Sequence, residues 1–100
     1  SYADISKFPE TRRDLAFLVD QATDADAVLD LVRSAAGEQL SKLELFDVYH
    51  GKGVPEGKKS LALGLTFRDQ SRTLDEAEVT AIIGQGVDSL TEKLNIELRA

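Results

Sequence analysis

A chain of 100 residues with 42% hydrophobic content is about one domain, able to bury roughly 60 to 70% of its unfolded surface. The absence of cysteine excludes disulfides, thiolate metal sites, cysteine catalysis and iron–sulfur clusters. No apolar run of about 18 residues occurs, which excludes a membrane-spanning helix, and the charges in the opening segment exclude a signal peptide, so the cytosol is the expected compartment. Methionine is also absent and Ser1 opens the chain, from which a piece of a longer protein is expected.

Residues 1–11 are polar, contain Pro9, and read as a linker or lead-in to a domain spanning 12–100. From Arg13 to Asp20, Leu15, Phe17 and Val19 alternate with Asp14, Ala16 and Leu18, the period of a strand. Thr23 is the expected N-cap of a first helix in which Val28, Leu31, Val32 and Ala35 recur at helical spacing until Gly37. Leu43 to His50 predicts a second strand, the glycine-punctuated stretch with Pro55 a long turn, and Lys58 to Asp69 a third strand. Thr73 with Glu76 predicts a capping box, followed by an apolar stripe through Val79, Ile83, Val87 and Leu90 to about Lys93. Gly84 and Gly86 interrupt that helix, each at about 1 kcal/mol against alanine. A short strand over Asn95–Arg99, with Ile96 and Leu98 in register, closes the chain.

This β-α-β-β-α-β order predicts an α+β, ferredoxin-like sandwich, a four-stranded antiparallel sheet with two helices on one face. Right-handed crossovers leave the opposite face uncovered, and function is expected there. On the third strand Leu61, Leu63, Leu65 and Phe67 share one side and Ser60, Ala62, Gly64, Thr66 and Arg68 the other. On the second, simple alternation sets Leu45, Asp47 and Tyr49 against Phe46 and Val48. With Tyr49 outward, Phe46 and Val48 join Leu98 and the third-strand leucines as core candidates. Leu43 and Leu45 share parity with Tyr49, so a bulge or the other register would send them to the core instead.

Net charge is −6, but the two helical segments carry eight acids against two bases and hold the whole excess. The remainder is balanced, and the helices stand about 10 Å from the open face, comparable with the Debye length of roughly 8 Å. A polyanion can therefore approach that face. Tyr49 beside Ser60, Ala62 and Ala16 makes an aromatic platform on a shallow floor, a common way to hold an unstacked RNA base. Asp47 can accept hydrogen bonds from a base edge. Arg12, Arg13, Arg68 and Arg72, with Lys52, Lys58 and Lys59, are candidate phosphate contacts. His50, the single histidine, has no nucleophile or acid at a telling spacing, so no catalytic residue and no metal-ligand cluster is expected.

The segments Lys7-Phe8-Pro9, Arg12-Arg13-Asp14-Leu15-Ala16, Leu45-Phe46-Asp47-Val48-Tyr49-His50-Gly51, Glu56 through Ala62 and Thr66-Phe67-Arg68-Asp69 with Arg72-Thr73-Leu74 together resemble one family. They are similar to the C-terminal ferredoxin-fold anticodon-binding domain of the bacterial phenylalanyl-tRNA synthetase beta chain, from about Asp4 to Arg99. The resemblance implies that the domain holds the anticodon stem-loop of the phenylalanine tRNA. It implies that Tyr49 stacks on an anticodon base, with Ala16, Asp47 and Ser60 lining the same spot. It also implies a parent alpha2beta2 synthetase using ATP and magnesium, with the rest of the beta chain and the alpha chain as partners and no cofactor in this domain.

The same element order serves regulatory or docking modules that bind an amino acid or a protein partner, and a small acyl-phosphate hydrolase. The hydrolase needs an anion cradle after the first strand, where this chain has Asp20-Gln21-Ala22-Thr23-Asp24, a loop that repels phosphate.

Overall fold

In a computed structural model that describes residues 8–94 and 96–99, the elements are β1 (Thr11–Asp20), α1 (Ala25–Ala36), β2 (Leu40–Tyr49), β3 (Lys58–Phe67), α2 (Glu76–Leu94) and β4 (Glu97–Leu98). A 3₁₀ turn over Gly37–Gln39 joins α1 to β2. The expected β-α-β-β-α-β order is present, in a four-stranded sheet ordered β2-β3-β1-β4 whose paired strands are all antiparallel. Most of the expected lead-in lies outside the described residues, and β1 already begins at Thr11.

β1 and β3 carry the core because neither breaks its alternation. Their register pairs Phe17 with Leu61 and Leu15 with Leu63 along ten residues of each strand, so every odd-numbered side chain of both points to the same side. Leu61, Leu63 and Phe67 are fully buried there, together with Val28 from α1 and Val79 from α2. Each such side chain stabilises the fold by about 1.5 to 3 kcal/mol through removal from water.

Both helix starts lie downstream of the expected positions, and local hydrogen bonding explains the shift. Thr23 donates its N–H to Asp20 O (2.9 Å) and so closes the turn after β1. The cap falls to Asp24, whose Oδ1 accepts from Asp26 N at 3.0 Å. At α2 the reciprocal capping box is formed by Asp75 and Glu78, not Thr73 and Glu76. Glu78 N donates to Asp75 Oδ1 (2.8 Å) and Asp75 N to Glu78 Oε1 (3.1 Å). Leu74 and Val79, immediately before the cap and on the next turn, are both buried, the positions of a hydrophobic staple. Gly37 ends α1 as expected, with φ 78° and its N–H donated to Arg33 O, a left-handed stop that favours glycine.

Three expected core residues are outside the core. Phe46, Val48 and Leu98 are 53%, 47% and 44% exposed. Val48 and Leu98 do share the helix-side face, opposite Leu61 and Phe17, but they sit on edge strands with a neighbour on one side only. Phe46 has a different cause. Leu45 pairs with Leu63 and Asp47 with Ala62, so Phe46 is the extra residue of a β-bulge that reverses the facing of the strand beyond it. Leu43 and Leu45 therefore pack against the core, while Asp47 and Tyr49 keep the open side. Of the two helix glycines, Gly86 is buried and Gly84 exposed, and a methyl group at either would meet nothing within 4 Å.

Candidate nucleic-acid interface

The face away from the helices is ordered into rows by the strand register. Tyr49, Ser60, Leu18 and Glu97 form one row, and Asp47, Ala62 and Ala16 the next. Arg99 extends the second row, its N–H donating to Ala16 O at 2.6 Å. Glu44, Gly64 and Asp14 form a third row, and Lys42, Thr66 and Arg12 a fourth. The bulge at Phe46 is what makes this possible, since it lets β2 pack Leu43 and Leu45 against the core and still turn Tyr49 outward at the end of the same strand.

Tyr49 is 39% exposed, and its ring is fixed at the hydroxyl, which donates to Lys52 O at 2.7 Å. Gly51, at φ 130°, lets the chain turn back beneath that hydroxyl, 3.5 Å from where a Cβ would lie. The orientation of the platform is thus set by backbone. Ala16 and Ala62, partly exposed, keep the adjoining floor low. Ser60, paired with Tyr49 across the two strands, is 3% exposed although no helix among the described residues lies on that side.

Of the nine residues expected at the site, Tyr49, Asp47, Ser60 and Ala16 share adjacent rows of the open face. Arg12 is also on that face, but its charge is committed. Its Nε donates to Asp14 Oδ1 (2.9 Å), its Nη1 to Glu44 Oε1 (3.3 Å), and its guanidinium lies over the Phe46 ring, 5.9 Å from the centroid. Hydrogen bonding to Asp14, with the charges of Asp14 and Glu44, raises the Arg12 pKa above its ordinary value. Gly64 makes room for it, because any Cβ at that position would collide with the Arg12 guanidinium. Lys58 pairs with Asp20 (2.9 Å) and Arg68 with Glu10 (3.1 Å). Lys52 is exposed on the loop beside Tyr49, with no carboxylate partner among the described residues. Arg13 is not brought to this face. Its odd position points it to the helix side, where Nη2 pairs with Glu76 Oε1 at 2.9 Å. Arg72 pairs with Glu78 beside the start of α2.

Sequence reasoning missed two residues of the face. Arg99 lies over the Tyr49 ring, its guanidinium carbon 5.8 Å from the centroid, and has no carboxylate partner among the described residues. The signal was present, since Ile96 and Leu98 in register put Glu97 and Arg99 on the opposite side. Phe46 became visible only through the bulge. His50 is exposed and borders a shallow loop groove with Gln21, Pro55 and Lys58. Among the described residues no group of three or more His, Cys, Asp or Glu side chains could hold a metal ion, and no helix is long and apolar enough to cross a membrane.

Such a face can stack one planar group on a phenol ring, accept hydrogen bonds from its edge through Asp47, and draw an anion toward Arg99 and Lys52. Comparison with known proteins agrees in kind. A family model described as the ferredoxin-fold anticodon binding domain matches residues 6–99. The phenylalanine–tRNA ligase beta subunit of Pseudomonas savastanoi pv. phaseolicola is 52% identical over 98 residues, which cover 98% of this chain and 12% of that protein. The beta subunits of Colwellia psychrerythraea and Mannheimia succiniciproducens are 47% and 46% identical over 96 residues, again 96% of this chain and 12% of each relative. The chain thus spans about an eighth of the length of the curated relatives it matches, at 12%.

Proposed function

This chain belongs to the ferredoxin-fold anticodon-binding domain family, and from that premise we propose that its open sheet face holds the anticodon stem-loop of the phenylalanine tRNA. One anticodon base stacks on Tyr49, with Ala16 and Ser60 lining the spot and Asp47 receiving N–H groups from the base edge. The observation that carries this reading is the Tyr49 ring, turned outward by the bulge, pinned by its hydroxyl to Lys52 O at 2.7 Å and flanked by short side chains.

Lys52 and the outer rim, with Arg12, Lys58 and Arg68 where their carboxylate partners release them, meet the phosphates. Contacts of that kind position the RNA and carry no sequence information. The parent protein is a phenylalanine–tRNA ligase, built with the rest of the beta chain and an alpha chain as alpha2beta2. ATP and magnesium serve the remainder of that enzyme, while this domain contributes affinity and orientation.

Tyr49→Ala tests the reading by titration with the anticodon stem-loop. Loss of one stacking platform weakens binding by about 1 to 3 kcal/mol, while the thermal midpoint stays near that of the parent, because the ring lies outside the core. Unchanged affinity removes the stacking role.

A further inference from the structure

Arg99 reaches Tyr49 from the far side of the sheet. It follows β4, at the opposite edge from β2, and its N–H is tied to Ala16 O. Three inter-strand spacings of about 4.8 Å separate those edges, a gap two long side chains bridge only if nothing tall stands between them. The intervening row supplies that condition through Ala16 and Ala62. Gly53, at φ 89°, brings the loop after β2 close to the same guanidinium, with Arg99 Nη2 3.5 Å from where a Cβ would lie.

We infer that Arg99 is the second wall of the base-binding slot: a nucleotide base inserts between the Arg99 guanidinium and the Tyr49 ring and is sandwiched by the two planes. This inference rests on Tyr49 being the base platform. The guanidinium carbon lies 5.8 Å from the ring centroid, and a base stacked between the two groups needs roughly 3.4 Å on each of its faces, so the arginine side chain swings outward to open the slot. Arg99 is free to make that movement because no carboxylate among the described residues holds it. Once opened, the slot exposes Ser60 and Asp47 to the base edge. The free domain keeps the cation on the ring, as cation–π attraction favours, and the RNA base replaces that contact with two stacked ones.

The test is a double-variant cycle in this chain with Tyr49→Ala, Arg99→Ala and their combination, each titrated with the phenylalanine anticodon stem-loop and with the same RNA made abasic at each anticodon position in turn. Arg99→Ala weakens binding about 3- to 30-fold. The double variant loses less than the product of the single losses, because both side chains hold the same base. One abasic RNA abolishes the effect of both substitutions. Arg99→Lys, which keeps the charge without the plane, recovers only a minor part. Full recovery with Arg99→Lys, or independent multiplying losses, overturns the sandwich in favour of a phosphate contact. An unaffected Arg99→Ala beside a weakened Tyr49→Ala overturns the inference and leaves the platform standing. If neither variant weakens binding, the platform itself is wrong and the inference falls with it.

Discussion

Two arginines lie over two aromatic rings on the same open face, at nearly the same distance, and differ in everything around them. Arg12 stands 5.9 Å from the Phe46 centroid and Arg99 5.8 Å from that of Tyr49. Arg12 is gripped by Asp14 and Glu44, whereas Arg99 has no carboxylate among the described residues. Arg12 and Arg99 therefore mark two ends of the face with opposite electrostatic character. At one end a cation is neutralised and serves as a clamp across three strands, at the other it remains available to a polyanion. Exposed ion pairs contribute only about 0 to 1 kcal/mol to stability, so the larger consequence of the clamp is to withhold a positive charge.

Both ends rest on one support, and breaking the support has the largest effect. Leu63→Ala, at a fully buried position beneath the floor, lowers unfolding free energy by about 2 to 5 kcal/mol in denaturant titration. A value under about 1 kcal/mol contradicts the placement of the core. The next effect sharpens the contrast between the arginines. Asp14→Asn combined with Glu44→Gln releases Arg12 and raises affinity for the anticodon stem-loop about 2- to 5-fold, with a steeper dependence on salt concentration. Unchanged affinity and slope mean that the Arg12 end lies outside the RNA footprint.

A change away from both ends gauges the background. Gly84→Ala, on an exposed helix turn with open space around it, raises unfolding free energy by up to about 1 kcal/mol and leaves RNA binding as it was. The smallest effect is on acid stability. Asp69 accepts from Gln39 Nε2 and from the N–H and hydroxyl of Ser71, and these bonds, Gln39 first, lower its pKa from 3.8 to about 2. A depressed carboxylate stabilises the fold fully above its unfolded value, and that contribution is lost as pH falls from about 4 toward 2. Glu78 is lowered in the same direction, chiefly by its hydrogen bond with Arg72. Asp69→Asn flattens the acid limb of a thermal-midpoint profile, and an unaltered limb rejects the assignment.

What the sequence disclosed and what it hid divide along physical lines. β3 was legible from Lys58 to Phe67, where it ends two residues short of the expected Asp69, because its alternation is unbroken and both neighbours pair with it along its length. β2 was half legible. The conflict between Leu43 and Leu45 on one parity and Val48 on the other marked a bulge, but choosing its position requires the partner strand, and Phe46 moved from core to surface as a result. Helix caps shifted by one or two residues because Thr23 closes the turn after β1 with its N–H, and because Asp75 and Glu78 pair reciprocally at the start of α2. The Tyr49 spot followed from local parity. The clamp on Arg12 did not, since its Glu44 partner is 32 residues away and meets it only through β3.

Amide chemical-shift mapping of this chain on addition of the phenylalanine anticodon stem-loop tests the central claim most directly. The largest shifts are expected at Ala16, Asp47, Tyr49, Ser60, Ala62 and Arg99, with α1 and α2 nearly silent. Shifts concentrated on the two helices, with the Tyr49 row unmoved, would contradict it.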